Sequence, residues 1–217
     1  MRALIIANGA GGTRRRLQVL ARSADLIIAA DGGAAIASRA GLRPHFLVGD
    51  MDSIGPTTRA SLESAGTELL TVPPEKDFTD TELALQVAAD HGATEVSLVA
   101  ALGGRIDHVV ANLLLVLHAR RLGVRMRIVD RATEAYLVDG PLVIDGLVGD
   151  LVSLIPLSEA VEEITTFGLR YPLAGEPLEF GTTRGISNVI IETPAGIRHV
   201  GRGDLLLVHT RRRGRRS

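Results

Sequence analysis

The sequence predicts an α/β protein: an N-terminal, mostly parallel α/β sandwich domain over residues 1–132, followed by a C-terminal antiparallel β-sandwich domain over residues 133–217. Two textures predict it. Up to about residue 130, short apolar runs alternate with segments of helical spacing, as in a parallel sheet with helices on both faces. Past about residue 133, short runs are separated by Gly, Pro and Asp turns with no helical pattern between them. The chain has 217 residues, 46% of them hydrophobic, enough to bury a substantial core.

In chain order, the expected strands of the first domain are Ala3–Ala7, Leu26–Ala30, Phe46–Val48, Glu68–Val72, Val96–Ala100 and Arg125–Val129. The helices expected between them are Arg14–Ala21, Ala34–Ala40, Thr57–Ser64, Asp80–His91 and Asp107–Leu122. Thr79 and Glu82 form a capping box for the fourth helix, and Gly92 and Gly123 stand where helices stop. Val109, Val110, Leu113, Leu114 and Leu117 give the fifth helix a wide apolar face. In the second domain the expected strands are Glu134–Val138, Leu142–Ile144, Leu151–Pro156, Asn188–Glu192 and Asp204–Thr210. The arginine-rich end, Arg211–Arg216, reads as a solvated tail in preference to a polyanion-binding arm.

Composition excludes several function classes. A formal net charge of −1 argues against a nucleic-acid binder. With no cysteine, the chain has no disulfides, thiolate nucleophiles or Cys-based metal sites, and a cytoplasmic location is expected. The apolar start Leu4-Ile5-Ile6-Ala7 is too short for a signal peptide. Nor is there a run of about 18 uncharged apolar residues, so no membrane span is expected.

Acidic residues follow several of the predicted strands: Asp31, the pair Asp50 and Asp52, the pair Asp77 and Asp80, and Asp107. A parallel sheet would gather them along one edge, where they repel unless a cation intervenes. Oxygen-only ligands suit Mg²⁺ shared with substrate phosphates. Asp50 and Asp52 flank Met51 and can converge on one ion, or simply cap the turn. Asp77 and Asp80 precede a helix N-terminus, a place for a phosphate; Lys76 beside them is a phosphate contact or an exposed lysine. In Gly103-Gly104-Arg105-Ile106-Asp107-His108, Arg105 offers a bidentate phosphate fork, and Asp107 is a helix N-cap or a metal-facing acid. His108 reads as helix-start packing ahead of a general base. Asn8-Gly9-Ala10-Gly11-Gly12-Thr13 lacks both the P-loop Lys-Ser/Thr and the third Rossmann glycine, so NAD binding through Asp31 is disfavoured.

In order, ADGGA at 30–34, GDMDSI at 49–54, EKDFTDTELAL at 75–85, the GGRIDH segment from 103, GLRYPL at 168–173 and GISN at 185–188 resemble the thiamine pyrophosphokinase (thiamine diphosphokinase) family. The resemblance implies a homodimer with active sites between subunits, using Mg²⁺ to transfer pyrophosphate from ATP to thiamine. It implies that Asp50, Asp52 and Asp80 surround Mg²⁺ and the ATP phosphates. Asp31, Lys76, Asp77, Thr79, Arg105, Asp107, His108 and Asn112 would lie on the ATP side, and Ser187 and Asn188 on the thiamine side. This chain has no tryptophan to stack on thiamine; Tyr171 and Phe180 are the nearby aromatics. Two rival readings stay open: a Mg²⁺-dependent phosphohydrolase with Asp50 as nucleophile, and a non-catalytic nucleotide or thiamine diphosphate sensor.

Overall fold

The computed structural model describes residues 1–10, 13–52, 54–72 and 77–212. The chain folds into two compact units, Met1–Arg131 and Ala132–Ser217. No helix among the described residues is long and apolar enough to cross a membrane.

The first unit runs β1 (Arg2–Ile6), α1 (Arg14–Arg22), β2 (Leu26–Ala30), α2 (Gly33–Arg39), β3 (Phe46–Gly49), α3 (Pro56–Ser64), β4 (Glu68–Thr71), α4 (Asp80–Asp90), β5 (Glu95–Val99), α5 (Ile106–Arg121) and β6 (Arg125–Asp130). Its strands pair in the order β6-β5-β1-β2-β3-β4, all parallel. β1 and β2 are buried almost throughout, because a parallel strand covered on both faces has no polar side to offer. Leu4 and Ile6 pack with Leu17, Leu20, Ala37 and Ala40 from the two helices that follow β1 and β2. The chain leaves β1 for β2 on one side and later returns to β5 on the other. That reversal opens a crevice at the carboxyl ends of β1 and β5, where ligands of open α/β sheets bind.

Local sequence explains the boundaries. The Thr79 hydroxyl accepts the Glu82 N–H at 3.2 Å, so Thr79 caps α4 as expected. Gly92 follows the helix at φ +81°, a left-handed conformation that a Cβ would disfavour.

The second unit runs β7 (Thr133–Leu137), β8 (Leu142–Ile144), β9 (Leu151–Pro156), β10 (Ala160–Phe167), β11 (Ala174–Glu179), β12 (Asn188–Val189), β13 (Ala195–His199) and β14 (Leu205–Thr210). β12-β9-β14-β7 form one antiparallel layer and β11-β10-β13-β8 another. Val152 and Leu207 of the first layer share a core with Val161, Ile164, Leu178 and Ile197 of the second, the packing of a β-sandwich.

Three of these strands escape the sequence pattern. In β10, the register shifts between Val161 and Ile164 and Glu163 sits at φ +51°, so a bulge breaks the apolar alternation. β11 carries Gly175 and Pro177, which read as a turn but are tolerated on an edge strand. β13 follows directly on Thr193-Pro194 and is too short to show a period. Conversely, the strand expected over Asn188–Glu192 shrinks to Asn188–Val189, after which Ile190 makes only an isolated bridge to Leu169.

Candidate active site

Asp31 ends β2 in a left-handed conformation, φ +47°, with its N–H donated to the Val48 carbonyl at 2.8 Å. That bond ties the end of β2 to the end of β3, where Asp50 and Asp52 emerge. Between them Met51, at φ +67°, turns inward to pack with Ala29, Leu47 and Ile54. The inward methionine leaves its two acidic neighbours at the sheet edge. Asp52 N–H donates to Asp50 Oδ1 at 3.2 Å, so the acids cap their own turn as well as facing an ion site.

One oxygen from each of Asp31, Asp50 and Asp52 lies within 4.8 Å of the others, while Asp52 is exposed and the other two are half-buried. At that spacing an ionised pair repels by roughly 3 kcal/mol if the effective dielectric is about 20. A divalent cation would turn the repulsion into attraction, and an all-carboxylate donor set fits Mg²⁺. The sequence put Asp80 in this set and Asp31 outside it. The structure gathers Asp31 with Asp50 and Asp52, because the β2–β3 tie brings its loop onto Asp50, and keeps Asp80 close by. Asp80 stands at the first turn of α4, where its Oδ1 would be 3.4 Å from a Cβ placed on Gly49 and the Asp31 Cβ 3.3 Å from the same point. A side chain at position 49 would crowd both acids, at a backbone φ of +152° that favours glycine.

The remaining candidates divide. Asp77 is exposed ahead of α4, and Lys76 lies outside the described residues. The Thr79 hydroxyl is engaged in the cap. Arg105 and Asp107 pair with each other, Nε to Oδ1 at 3.2 Å and Nη2 to Oδ2 at 2.5 Å. The fork predicted for a phosphate is therefore turned onto an acid. Asp107 is also not the N-cap: that position is Arg105, with no side-chain cap bond, and Asp107 lies inside the helix. Its hydrogen bond from Arg105 holds the Asp107 carboxyl below its usual range, and the same bond raises the guanidinium. Both are exposed, so solvent screening keeps the pair easy to part. His108, expected to pack at the helix start, is exposed and gives its backbone N–H to Asp107. Asn112, expected at the nucleotide, is buried and donates Nδ2–H to the Ala101 carbonyl at 2.9 Å, bracing the turn before α5.

In the second unit, Ser187 is exposed at φ +60°, and its N–H donates to Ser153 Oγ. The Asn188 amide, expected on the thiamine side, clamps Tyr171: Oδ1 accepts the Tyr171 N–H at 3.0 Å and Nδ2 donates to the Tyr171 carbonyl at 2.7 Å. Tyr171 and Phe180 are both exposed.

Asp130, at the end of β6, was missed by sequence reasoning. Its Oδ1 is buried with no hydrogen-bond partner among the described residues, and burial raises its pKa. The signal was available, since Asp130 follows an apolar strand as Asp31 and Asp50 do.

The sequence profile described as "Thiamin pyrophosphokinase, catalytic domain" matches residues 17–129, and "Thiamin pyrophosphokinase, vitamin B1 binding domain" matches 143–198. A thiamine pyrophosphokinase of Bacillus subtilis is 30% identical over 206 residues, spanning 93% of this chain and 96% of that one. The crystal structure of thiamine pyrophosphokinase from B. subtilis superposes with a TM-score of 0.85 at 27% identity, covering 97% of this chain and 99% of that one. That from Geobacillus thermodenitrificans gives 0.81 at 28% identity, covering 99% of each. The Candida albicans enzyme, 18% identical with a TM-score of 0.82 over 96% of this chain and 88% of its own, shares the fold. Since both profiles match in chain order and the B. subtilis relative aligns along nearly its whole length, the chain belongs to the thiamine pyrophosphokinase family.

Proposed function

We propose that this thiamine pyrophosphokinase transfers the terminal pyrophosphoryl group of ATP to the hydroxyl of thiamine, with Mg²⁺ seated on Asp31, Asp50 and Asp52. The observation that carries it is the convergence of those three carboxylates at the carboxyl edge of the parallel sheet. A bond forms between the thiamine oxygen and the β-phosphorus, the bond from β-phosphorus to the bridging oxygen breaks, and AMP leaves with that electron pair. When bound, Mg²⁺ neutralises charge on the non-bridging oxygens. Asp31, Asp50 and Asp52 fix where that charge is met, and the half-burial of Asp31 and Asp50 limits competition from water. The alcohol must also lose a proton. Asp80, beside the trio at the first turn of α4, is placed to accept it. Arg105 would part from Asp107 to meet phosphate oxygens.

The thiamine side rests on Ser187 and the exposed Tyr171 and Phe180, whose ring faces suit a cationic thiazolium. A homodimer is supported by α5, where Ile106, Val110 and Leu114 form an exposed apolar stripe at helical spacing, the kind of surface a second copy would cover. The cysteine-free composition is compatible with a cytoplasmic location. A phosphohydrolase would use Asp50 as nucleophile in its Asp-x-Asp pair. Neither that reading nor the sensor reading draws support from the relatives.

The test is to mix purified protein with Mg-ATP and thiamine and identify both products. AMP with thiamine diphosphate is expected; ADP, or no thiamine-dependent turnover, rejects the proposal.

A further inference from the structure

Asp31 joins the carboxylate trio from a backbone conformation that needs support. At φ +47° the left-handed turn is costly for any residue but glycine, and it persists where the surroundings hold it. On one side the support is the end of β3, whose Val48 carbonyl accepts the Asp31 N–H at 2.8 Å. On the other side it is the exit of β1. Ile6 pairs with Ala29, so two residues further on Asn8 and Asp31 leave neighbouring strands side by side.

The two glycines after Asp31 record how closely β1 presses on this turn. A Cβ on Gly33 would run into the Ile6 carbonyl, and one on Gly32 would fall on the side-chain amide of Asn8, meeting Cγ, Oδ1 and Nδ2 alike. The amide therefore lies flat against the residue that follows Asp31. Asn8 is itself fixed by its neighbours: Ala7 N–H donates to the Val99 carbonyl at 3.0 Å, and Gly9 N–H to the Ala100 carbonyl at 2.6 Å. A Cβ on Gly9 would lie 2.5 Å from the Ala100 oxygen, so this junction requires glycine. Val48 and Ile6 grip the turn through backbone carbonyls, whereas Asn8 grips it through a side chain that a substitution can remove. Asn8 is exposed, which argues against a place in the core.

We propose that Asn8 is a positioning residue for the metal seat: its amide, resting on Gly32, holds Asp31 in the left-handed turn that brings the carboxylate onto Asp50 and Asp52. The role rests on the Mg²⁺ seat of the pyrophosphokinase reading and adds to it a residue that no acidic motif contains. Without the amide, the turn is free to relax, and a carboxylate repelled by two others swings away. The seat then loses one of its three ligands, as when the outer support of a metal site is removed.

Mn²⁺, an oxygen-seeking ion that stands in for Mg²⁺, reads the seat without turnover when it is added alone to the protein and the free ion is counted by electron paramagnetic resonance. The wild type binds Mn²⁺, and Asn8→Ala weakens binding about tenfold. The melting temperature of the metal-free protein holds, as expected for an exposed side chain. Gly32→Ala produces the same loss by another route, since the backbone there, at φ −57° and ψ −8°, accepts alanine and the new methyl takes the place of the amide. Combining the two costs no more than either, because both remove one contact, and in an Asp31→Asn protein Asn8→Ala has no further effect. The Mg²⁺ needed for half-maximal turnover rises by the same factor. Unchanged Mn²⁺ binding in Asn8→Ala, additive losses with Gly32→Ala, or a further loss on top of Asp31→Asn overturns the proposal, as does a wild type that binds no Mn²⁺. A wild type that binds Mn²⁺ through Asp31 yet makes no thiamine diphosphate would sink the pyrophosphokinase reading alone.

Discussion

The two units use their acidic residues in opposite ways. At the edge of the parallel sheet, Asp31, Asp50 and Asp52 are crowded together at a cost in mutual repulsion. In the sandwich, Asp150 is buried and its charge is shared out: Oδ2 accepts the Leu147 N–H at 2.9 Å and meets His209 Nε2 at 3.0 Å, and Oδ1 accepts the Arg212 N–H at 2.9 Å. That one side chain ties the turn before β9 to the last strand and to the start of the tail. Acids of the first kind store unfavourable energy that a ligand can release; acids of the second kind hold the fold. The strand ends of a parallel sheet leave side chains beyond the packed core, whereas a sandwich of short strands needs its polar groups to close turns.

Substitutions can break or sharpen this contrast. Asp52→Asn carries the largest expected effect: kcat/KM falls by roughly 100-fold or more, while the melting temperature holds or rises as repulsion is relieved. Steady-state kinetics beside a thermal melt would read both, and a variant that lost stability along with activity would erase the distinction. Asp150→Ala should do the converse, costing about 3 kcal/mol by stranding buried donors while the folded fraction keeps its turnover. Burial works to raise the Asp150 carboxyl, but the Leu147 and Arg212 N–H bonds and His209 together bring it below its usual value. Its folded pKa therefore lies below the unfolded one. The stability it contributes is present above the unfolded pKa and is lost as pH falls through the folded value. Urea melts across the acid range should show a shallower decline for Asp150→Asn than for wild type. The smallest effects separate neighbours: Asn188→Ala loses about 1–2 kcal/mol with its two Tyr171 bonds, whereas Ser187→Ala leaves stability intact and raises the thiamine KM a few-fold. Equal losses of stability at 187 and 188 would show that both residues are structural.

Sequence reasoning reached the first unit nearly element by element because its signals are local. A strand such as Leu26–Ala30 is apolar throughout, and the Thr79–Glu82 cap is written within four residues. It did less well where structure depends on chain geometry that spacing does not encode. The bulge at Glu163 hides a strand, and the tie from Asp31 to Val48 decides which acid joins Asp50 and Asp52. Side chains able to serve either a ligand or the fold were assigned to the ligand. Asn112 and Asn188 each meet a backbone partner distant in sequence, a structural role that only the structure reveals.

The methionine between the two acids limits how this motif can be spelled. Position 51 must be apolar enough to sit 6% exposed and also accept φ +67°. Glycine meets the backbone demand but leaves the pocket beneath it empty, and β-branched residues fill the pocket but crowd the left-handed backbone. Asparagine or aspartate tolerates the turn but would bury a polar group under two charges. An unbranched, pliable apolar side chain satisfies both demands. The vocabulary at this position is thus set by packing beneath the turn, and a search for the motif by its acids alone would miss the constraint that spaces them.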